Sequence, residues 1–274
     1  MLATRAITGG TDTQVWRVGT QVASYALRLF RPGQARRVAA EVEAMALARA
    51  HGVPVPAVFA HSTEYPRPLM LLAWVEDATM LDAMLRAPKR TTTFGRSLGA
   101  TQARIHQISM PDAPSPWPET LRRWLGPDEE TLIRRLIELS NPPHHLLHLD
   151  YHPLNVLVNQ QANVTAVLDW TNHAPGDPRF DAARTALMLD LAPLPADLKT
   201  TPFAAQREAL TAAWRDGYAS VNGPLDLPAE FYAAAAVMML RDLTAKTGPA
   251  AIPAEDLAPI ARAAAYWKNQ AGIQ

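Results

Sequence analysis

One stretch near the middle of the chain restricts its fold more than any other, because two apolar runs flank a polar turn. Residues 156–158 and 164–168 are apolar and β-prone, and residues 159–163 between them are turn formers. This pattern predicts a strand, a turn and a second, antiparallel strand. If the turn is centred on Ala162, Asn155 and Asp169 face each other at the usual antiparallel spacing.

The polar residues around this predicted hairpin share one kind of chemistry. Asn155 and Asp169 offer hard oxygen ligands of the type that Mg²⁺ prefers. Five residues before Asn155, Asp150 supplies a carboxylate that can orient or deprotonate a hydroxyl group. A base and two oxygen ligands for Mg²⁺ are what phosphoryl transfer requires, so these residues support the hypothesis of a small-molecule kinase.

Composition limits the class of protein. The chain has 274 residues, with 26 basic residues, 26 acidic residues and no Cys. Balanced charge gives no reason to expect nucleic acid or a membrane as a partner. The lack of Cys excludes disulfides and Cys nucleophiles, and it fits a cytoplasmic location. Residues 1–10 lack the apolar core of a signal peptide, and the longest apolar stretch, residues 232–240, is too short to span a membrane.

The N-terminal part of the sequence predicts a small β-rich region with one helix. Residues 5–30 predict antiparallel strands, in which Gly9-Gly10-Thr11 forms either a plain hairpin turn or a loop that brings N–H groups to phosphates. Arg28 lies among apolar strand residues, either as a solvated edge residue or as a cation for nucleotide phosphates. Residues 36–51 have helical periodicity. Glu41 in this helix is our preferred partner for Arg28, although an exposed helical Glu is equally consistent with the pattern.

We place a boundary between two lobes after the apolar strand predicted at residues 69–75. The N-lobe then comprises residues 1–73, and the C-lobe comprises residues 74–274. The hinge lies at about residues 71–76 and includes Trp74 and Glu76. Most of the C-lobe predicts helices, at residues 91–108, 128–139, 181–191, 203–221, 228–246 and 254–270.

Two further motifs suggest other functions. Gly95-Arg96-Ser97-Leu98-Gly99 matches the nucleophile pattern of serine hydrolases, but that pattern requires an apolar strand before it, and residues 88–93 are polar. His residues at positions 144, 145, 148 and 152 have partly helical spacing that suits Zn²⁺, but neighbouring prolines interrupt the helix that such a site needs. We therefore keep a Ser97 hydrolase only as an alternative and assign His148 to a loop.

Three motifs occur in an order and spacing that resemble the aminoglycoside phosphotransferase-like (phosphotransferase enzyme) family. They are His148-x-Asp150-x4-Asn155, Val167-Leu168-Asp169-Trp170 and Gly176-Asp177-Pro178-x-Phe180-Asp181. The likeness extends to the N-terminal strands and covers about residues 5–190. It implies an α+β, two-lobed protein-kinase-like fold. The small antiparallel-sheet N-lobe contains one helix and is expected to bind nucleotide phosphates, and the large, mainly helical C-lobe is expected to carry the catalytic loop and the acceptor-binding helices.

The resemblance also implies roles for the site residues. Asp150 is the catalytic base or hydroxyl-orienting residue, and Asn155 and Asp169 hold Mg²⁺. The nucleotide phosphates are bound by Arg28, which Glu41 holds in place, and by Gly10 and Thr11, while Trp74 and Glu76 contact adenine. The catalytic loop is fixed by Asp181, with Asp177 as the alternative. The reaction is transfer of the γ-phosphoryl group of ATP or GTP to an alcohol, such as an aminoglycoside-like compound or another small metabolite. Such enzymes usually carry Lys where this chain has Arg28, which favours a catalytically weak nucleotide-binding homologue as the alternative.

Overall fold

The computed structural model describes residues 3–7, 13–64, 67–110, 117–140 and 144–273. Its strands are β1 (Ala3–Ile7), β2 (Gln14–Gly19), β3 (Ser24–Leu29), β4 (Val58–Ser62), β5 (Leu69–Ala73), β6 (Ala78–Thr79), β7 (His145–Leu147), β8 (Val156–Val158), β9 (Val164–Val167) and β10 (Ala174–Gly176). Its α-helices are α1 (Ala35–Ala50), α2 (Met80–Arg86), α3 (Thr91–Ile105), α4 (Trp117–Leu125), α5 (Glu130–Leu139), α6 (Pro178–Leu191), α7 (Thr201–Asn222), α8 (Ala229–Thr244) and α9 (Ala254–Gln270). The fold is therefore α+β, as predicted.

The chain divides into two compact units. The first comprises Met1–Met80 and Leu154–Asn172, and the second comprises Leu81–Pro153 and His173–Gln274. The first unit thus takes in the central hairpin as well as the N-terminal part of the chain. The functional division into lobes at residues 73 and 74, with a hinge at 71–76, stays a prediction.

An antiparallel five-stranded sheet forms most of the first unit, in the order β1-β2-β3-β5-β4. A tight turn joins β2 to β3, where the Thr20 N–H donates to the Ala23 carbonyl oxygen at 2.7 Å. Helix α1 follows β3 and turns its buried residues, at helical spacing, to the interior: Val38, Glu41, Ala44, Met45 and Ala48. The helix ends before Gly52, whose φ of 76° is readily adopted only by a residue without a Cβ.

The predicted hairpin is present as β8 and β9, but its register differs by one residue from the symmetric pairing that we predicted. Val156 pairs with Val167, and the register shifts between Leu157 and Val158. Val158 pairs with Val164, so the turn is centred on Gln161 rather than on Ala162. The bulge then adds one residue, Thr165, to the β9 side, and Leu168 lies opposite Asn155 rather than Asp169. The Leu168 N–H donates to the Asn155 carbonyl oxygen at 2.8 Å. Asp169 is the next residue along the chain.

Helices α3 and α7 pack very closely in the second unit, and this packing explains the glycines of the hydrolase-like motif. A Cβ at Gly99 would lie 1.9 Å from the Trp214 carbonyl oxygen, and a Cβ at Gly95 would lie 2.8 Å from the Leu210 carbonyl oxygen. Ser97 therefore lies inside a helix, between two glycines that permit backbone contact. This is not the strand-to-helix turn that a serine nucleophile of this type requires.

Replacing Gly99 with Ala is expected to destabilise the protein by roughly 3 kcal/mol or more, because the added methyl group meets backbone atoms that cannot rotate away. The midpoint of thermal or urea unfolding measures this loss. Gly19→Ala is the matched control, since its new Cβ would lie 3.7 Å from the nearest atom, an ordinary contact. Equal midpoints for the two variants would contradict the close packing of α3 and α7.

Two short antiparallel strands position the loop that contains Asp150. Strand β7 pairs with β10, with Leu147 opposite Ala174. Leu146 and Leu147 are fully buried, so the strand that leads into the loop is anchored in the core of the second unit. No α-helix in the described part of the chain is long and apolar enough to cross a membrane.

Candidate active site

Arg28 lies at the centre of a partly buried polar cluster in the first unit, which we call the Arg28 cluster: Arg28, Glu41, Asp169 and Thr171. The Arg28 Nη1 donates to Glu41 Oε1 at 2.5 Å, and its Nη2 donates to Asp169 Oδ1 at 3.2 Å. The Arg28 side chain is 10% exposed and that of Glu41 is fully buried. Burial alone would lower the pKa of Arg28, but the charges and hydrogen bonds of Glu41 and Asp169 raise it above its usual value. The guanidinium is therefore charged at any physiological pH.

Thr171 lies between the two carboxylates of the Arg28 cluster, those of Glu41 and Asp169. Its hydroxyl donates to Asp169 Oδ1 at 2.6 Å, and its oxygen lies 3.1 Å from Glu41 Oε2. The backbone N–H of Trp170 donates to Glu41 Oε1 at 3.1 Å. Because the Arg28 Nη1 and the Trp170 N–H both donate to it, the Glu41 carboxylate has a fixed orientation.

The proposed metal ligands lie at the same end of the β8–β9 hairpin. Asn155 directly precedes β8, and Asp169 lies two residues after the last residue of β9. Asp169 has φ 57°, a left-handed conformation that Asp tolerates better than most residues. Its side chain is 46% exposed, and its bonds to described residues all fall on Oδ1. Oδ2 is therefore available to a ligand. An amide and a carboxylate supply only hard oxygen donors, and this donor set fits Mg²⁺.

No group of three or more His, Asp or Glu side chains suited to holding a metal occurs among the described residues. A site built from one Asp and one Asn lacks the ligands to bind Mg²⁺ tightly by itself. Mg²⁺ sites of this kind usually complete their coordination with water and substrate phosphates.

The residues predicted to contact nucleotide are only partly described. Gly10 and Thr11 lie outside the described residues. The ring of Trp74 lies 4.8 Å below the Arg17 guanidinium, and Arg17 also forms an ion pair with the exposed Glu76. The backbone N–H of Trp74 donates to the Ser24 carbonyl oxygen at 3.3 Å, which ties the segment to β3. Adenine contact by Trp74 and Glu76 stays a prediction.

Asp181 holds the loop of residues 148–153, which we call the Asp150 loop. The backbone N–H groups of His148 and Leu149 donate to the two oxygens of the Asp181 carboxylate at 3.0 and 2.8 Å. Asp181 is fully buried on α6. Asp177, the alternative, instead accepts from the Arg179 N–H and caps the start of α6. The geometry thus separates two carboxylates that the sequence left as alternatives.

Asp150 follows directly after these fixed peptide groups. Its N–H donates to His148 Nδ1 at 3.2 Å, and its Oδ1 lies 3.5 Å from His152 Nε2. Burial would raise the pKa of Asp150, but His152, through hydrogen bonding and charge, and the charges of Arg184 and His148 hold the pKa below its usual range. The carboxylate, 27% exposed, is therefore ionised throughout the neutral pH range.

Two residues that the sequence analysis missed support this loop. His106 lies between Asp181, at 2.9 Å from its Nε2, and the Tyr218 hydroxyl, at 2.8 Å from its Nδ1. Burial raises the pKa of Tyr218 to about 12, so its hydroxyl keeps its proton and can donate to Nδ1. The His106 Nε2–H then donates to Asp181. The second missed residue, Arg184, donates to the Leu149 carbonyl oxygen at 2.5 Å. Neither residue belongs to a recognisable motif.

Solved structures that this chain resembles in fold include small-molecule kinases. An amicoumacin kinase superposes with a TM-score of 0.65 at 15% identity, covering 97% of this chain and 88% of that one. An aminoglycoside-3'-phosphotransferase of type VIII gives 0.62 at 15% identity, covering 86% and 93%. A spectinomycin phosphotransferase gives 0.60 at 12% identity, covering 98% and 93%. The fold is therefore protein-kinase-like, as predicted.

The family follows from the sequence itself. Residues 3–224 match the model of the phosphotransferase enzyme family, a longer stretch than the motifs alone indicated. The chain belongs to this family. No curated protein sequence matches the chain.

Proposed function

We propose that this protein is a Mg²⁺-dependent small-molecule kinase that transfers the γ-phosphoryl group of ATP or GTP to an alcohol hydroxyl group. The Asp150 loop is the observation that carries the proposal. In it, an ionised and partly exposed carboxylate follows two peptide groups that Asp181 holds by hydrogen bonds. Membership of the phosphotransferase enzyme family supports the same reaction.

Asp150 orients the acceptor hydroxyl and accepts its proton in this proposal. A carboxylate with a lowered pKa is a weak base towards an unreacted alcohol. It becomes effective late in the reaction, when the oxygen has begun to bond to phosphorus and its proton has become acidic. Positioning and electrostatic stabilisation supply most of the acceleration in phosphoryl transfer, and the fixed loop suits that requirement.

Asn155 and Asp169 hold Mg²⁺ in this proposal, and the bound ion neutralises charge on the nucleotide phosphates. Arg28 adds a permanent positive charge that Glu41 fixes in place. An arginine fork can bind two phosphate oxygens at once, whereas a lysine presents a single ammonium group. Arg28 also donates a hydrogen bond to Asp169, so in this proposal the same guanidinium binds both Asp169 and the nucleotide phosphates.

The acceptor is proposed to be a small polar molecule with a free hydroxyl group. Kinases with the same fold act on amicoumacin, aminoglycosides and spectinomycin, which supports this size class. Fold alone does not select one acceptor among such compounds.

A screen of hydroxylated acceptors tests the proposal. Purified protein is incubated with Mg²⁺, ATP or GTP and a panel of aminoglycosides, other hydroxylated antibiotics, amino alcohols and sugars, and nucleoside diphosphate release is followed. Mass spectrometry must then show a phosphorylated acceptor that does not form when EDTA replaces Mg²⁺. Nucleotide-dependent thermal stabilisation without transfer to any acceptor would instead support the catalytically weak homologue.

A further inference from the structure

Arg184 is a buried arginine with two strong, directed hydrogen bonds. It lies on α6, and the residue is only 4% exposed. Its Nε donates to the Leu149 carbonyl oxygen at 2.5 Å, and its Nη2 donates to Asp242 Oδ2 at 2.6 Å. Nη1 has no hydrogen-bond partner among the described residues, although it is buried. A buried arginine kept with one unsatisfied nitrogen needs a reason beyond packing.

The bond to Leu149 acts on the residue directly before Asp150. Leu149 has φ 63°, a left-handed conformation that is unfavourable for a leucine. Asp181 holds its N–H at 2.8 Å, and Arg184 holds its carbonyl oxygen. Asp181 and Arg184 are separated by about one turn of α6, so two side chains on one face of this helix form a clamp that holds both the N–H and the carbonyl group of Leu149. This clamp fixes the direction in which the chain enters Asp150.

Asp242 ties the clamp to the C-terminal helices. It lies on α8, which follows the last residue of the family match, residue 224. Its side chain is 47% exposed, while that of Arg184 is 5% exposed. Asp242 therefore supplies the negative charge that a buried guanidinium needs, and it does so from a part of the chain outside the family match.

We propose that Arg184 and Asp242 form a positioning pair that sets the orientation of Asp150 for phosphoryl transfer. This inference rests on the proposed kinase function. Neither residue contacts the reacting groups in this scheme. Arg184 acts through the Leu149 carbonyl group, and Asp242 acts through Arg184.

Two substitutions test the pair. Arg184→Lys keeps the charge but cannot make both directed bonds, and it is expected to lower kcat about 100-fold, the order of effect for small misplacements of a reacting group. Asp242→Asn keeps a hydrogen-bond acceptor but removes the charge, and it is expected to lower kcat about ten-fold. The KM for nucleotide should change less than about two-fold, because the affected group serves the acceptor. The double variant should lose less than the product of the single effects.

Matched control variants separate positioning from general damage. Arg207 likewise donates to main-chain carbonyl oxygens, those of Leu189 and Ala192, and Asp256 likewise pairs with a cation, Lys199. Arg207→Lys and Asp256→Asn should leave kcat unchanged. Because Asp242 is half-exposed, Asp242→Asn is expected to fold even if Arg184→Lys does not.

Each outcome decides the inference. A fall in kcat with unchanged nucleotide KM, absent from both control variants, supports the positioning pair. Normal wild-type turnover with unchanged kcat in Asp242→Asn and in folded Arg184→Lys overturns the pair while leaving the kinase function intact. Equal losses in the Arg207→Lys control also overturn it. If the wild-type protein phosphorylates no acceptor, the kinase function fails first, and the inference fails with it.

Discussion

Replacing Asp150 with Asn is expected to lower kcat for phosphoryl transfer roughly 10²–10⁴-fold, the usual contribution of a proton-accepting group. The amide has nearly the same shape but cannot accept the proton of the acceptor hydroxyl. The backbone bonds that hold the loop involve His148, Leu149 and Asp181, and they do not depend on the Asp150 carboxylate. The loop should therefore keep its conformation. Single-turnover assays with the acceptor found in the screen measure the effect.

Nucleotide binding and a second carboxylate provide the controls for this variant. Asp150→Asn should bind ATP or GTP with the affinity of the wild-type protein, as measured by calorimetry. Asp177→Asn removes a nearby buried carboxylate that caps α6, and Asn caps a helix about as well as Asp. That variant should retain turnover. Undiminished turnover in Asp150→Asn would refute the role given to this residue.

Replacing Arg28 is expected to affect stability and nucleotide binding together. Arg28→Met leaves the buried Glu41 carboxylate without its cation, which should cost about 3–5 kcal/mol of stability. Arg28→Lys keeps the charge, but its single nitrogen cannot hold Glu41 and Asp169 in the same fork geometry. We expect kcat/KM for nucleotide to fall about ten-fold in the lysine variant, close to the loss of one charge-assisted hydrogen bond. Thermal midpoints with and without nucleotide, together with initial rates, measure both effects.

The Arg28→Lys variant also distinguishes an active kinase from the catalytically weak homologue. Arg67→Lys is the control, because Arg67 is an exposed arginine whose hydrogen-bond partner among the described residues is the exposed Gln14. It should change neither stability nor rate. A higher turnover in Arg28→Lys would contradict our expectation. It would show that arginine at this position limits the enzyme, as the catalytically weak homologue requires.

Helical periodicity predicted most of the second unit correctly, because its helices bury one face in a shared core. Helices α3, α7, α8 and α9 lie within a few residues of their predicted bounds. Helix α4 was missed. Its second residue is Pro118, and three more prolines lie within residues 111–116, a composition that is typical of a loop. Proline is well tolerated in the first turn of a helix, so the same residue is compatible with either structure.

The candidate site was predictable where its residues lie close together in sequence. The motifs indicated Asp150, Asn155, Asp169 and Asp181, and Glu41 was the preferred partner for Arg28, with which it forms an ion pair. His106 could not be found in this way, because it acts on Asp181 from 75 residues away. The hairpin register was wrong by one residue at Asn155, because the turn is centred on Gln161 rather than on Ala162 and the bulge in β9 removes only one of the two residues of offset.

The guanidinium in the Arg28 cluster has a consequence for how this protein can be detected. Nucleotide analogues that acylate an amine are used to survey ATP-binding proteins, and they require a lysine beside the phosphates. The first lysine of this chain is Lys89, so residues 1–88 contain no amine side chain that can react. An amine-directed nucleotide analogue bound beside Arg28 would therefore find no lysine within residues 1–88 to label. Reversible capture on immobilised nucleotide does not depend on that reaction and is the better route to it.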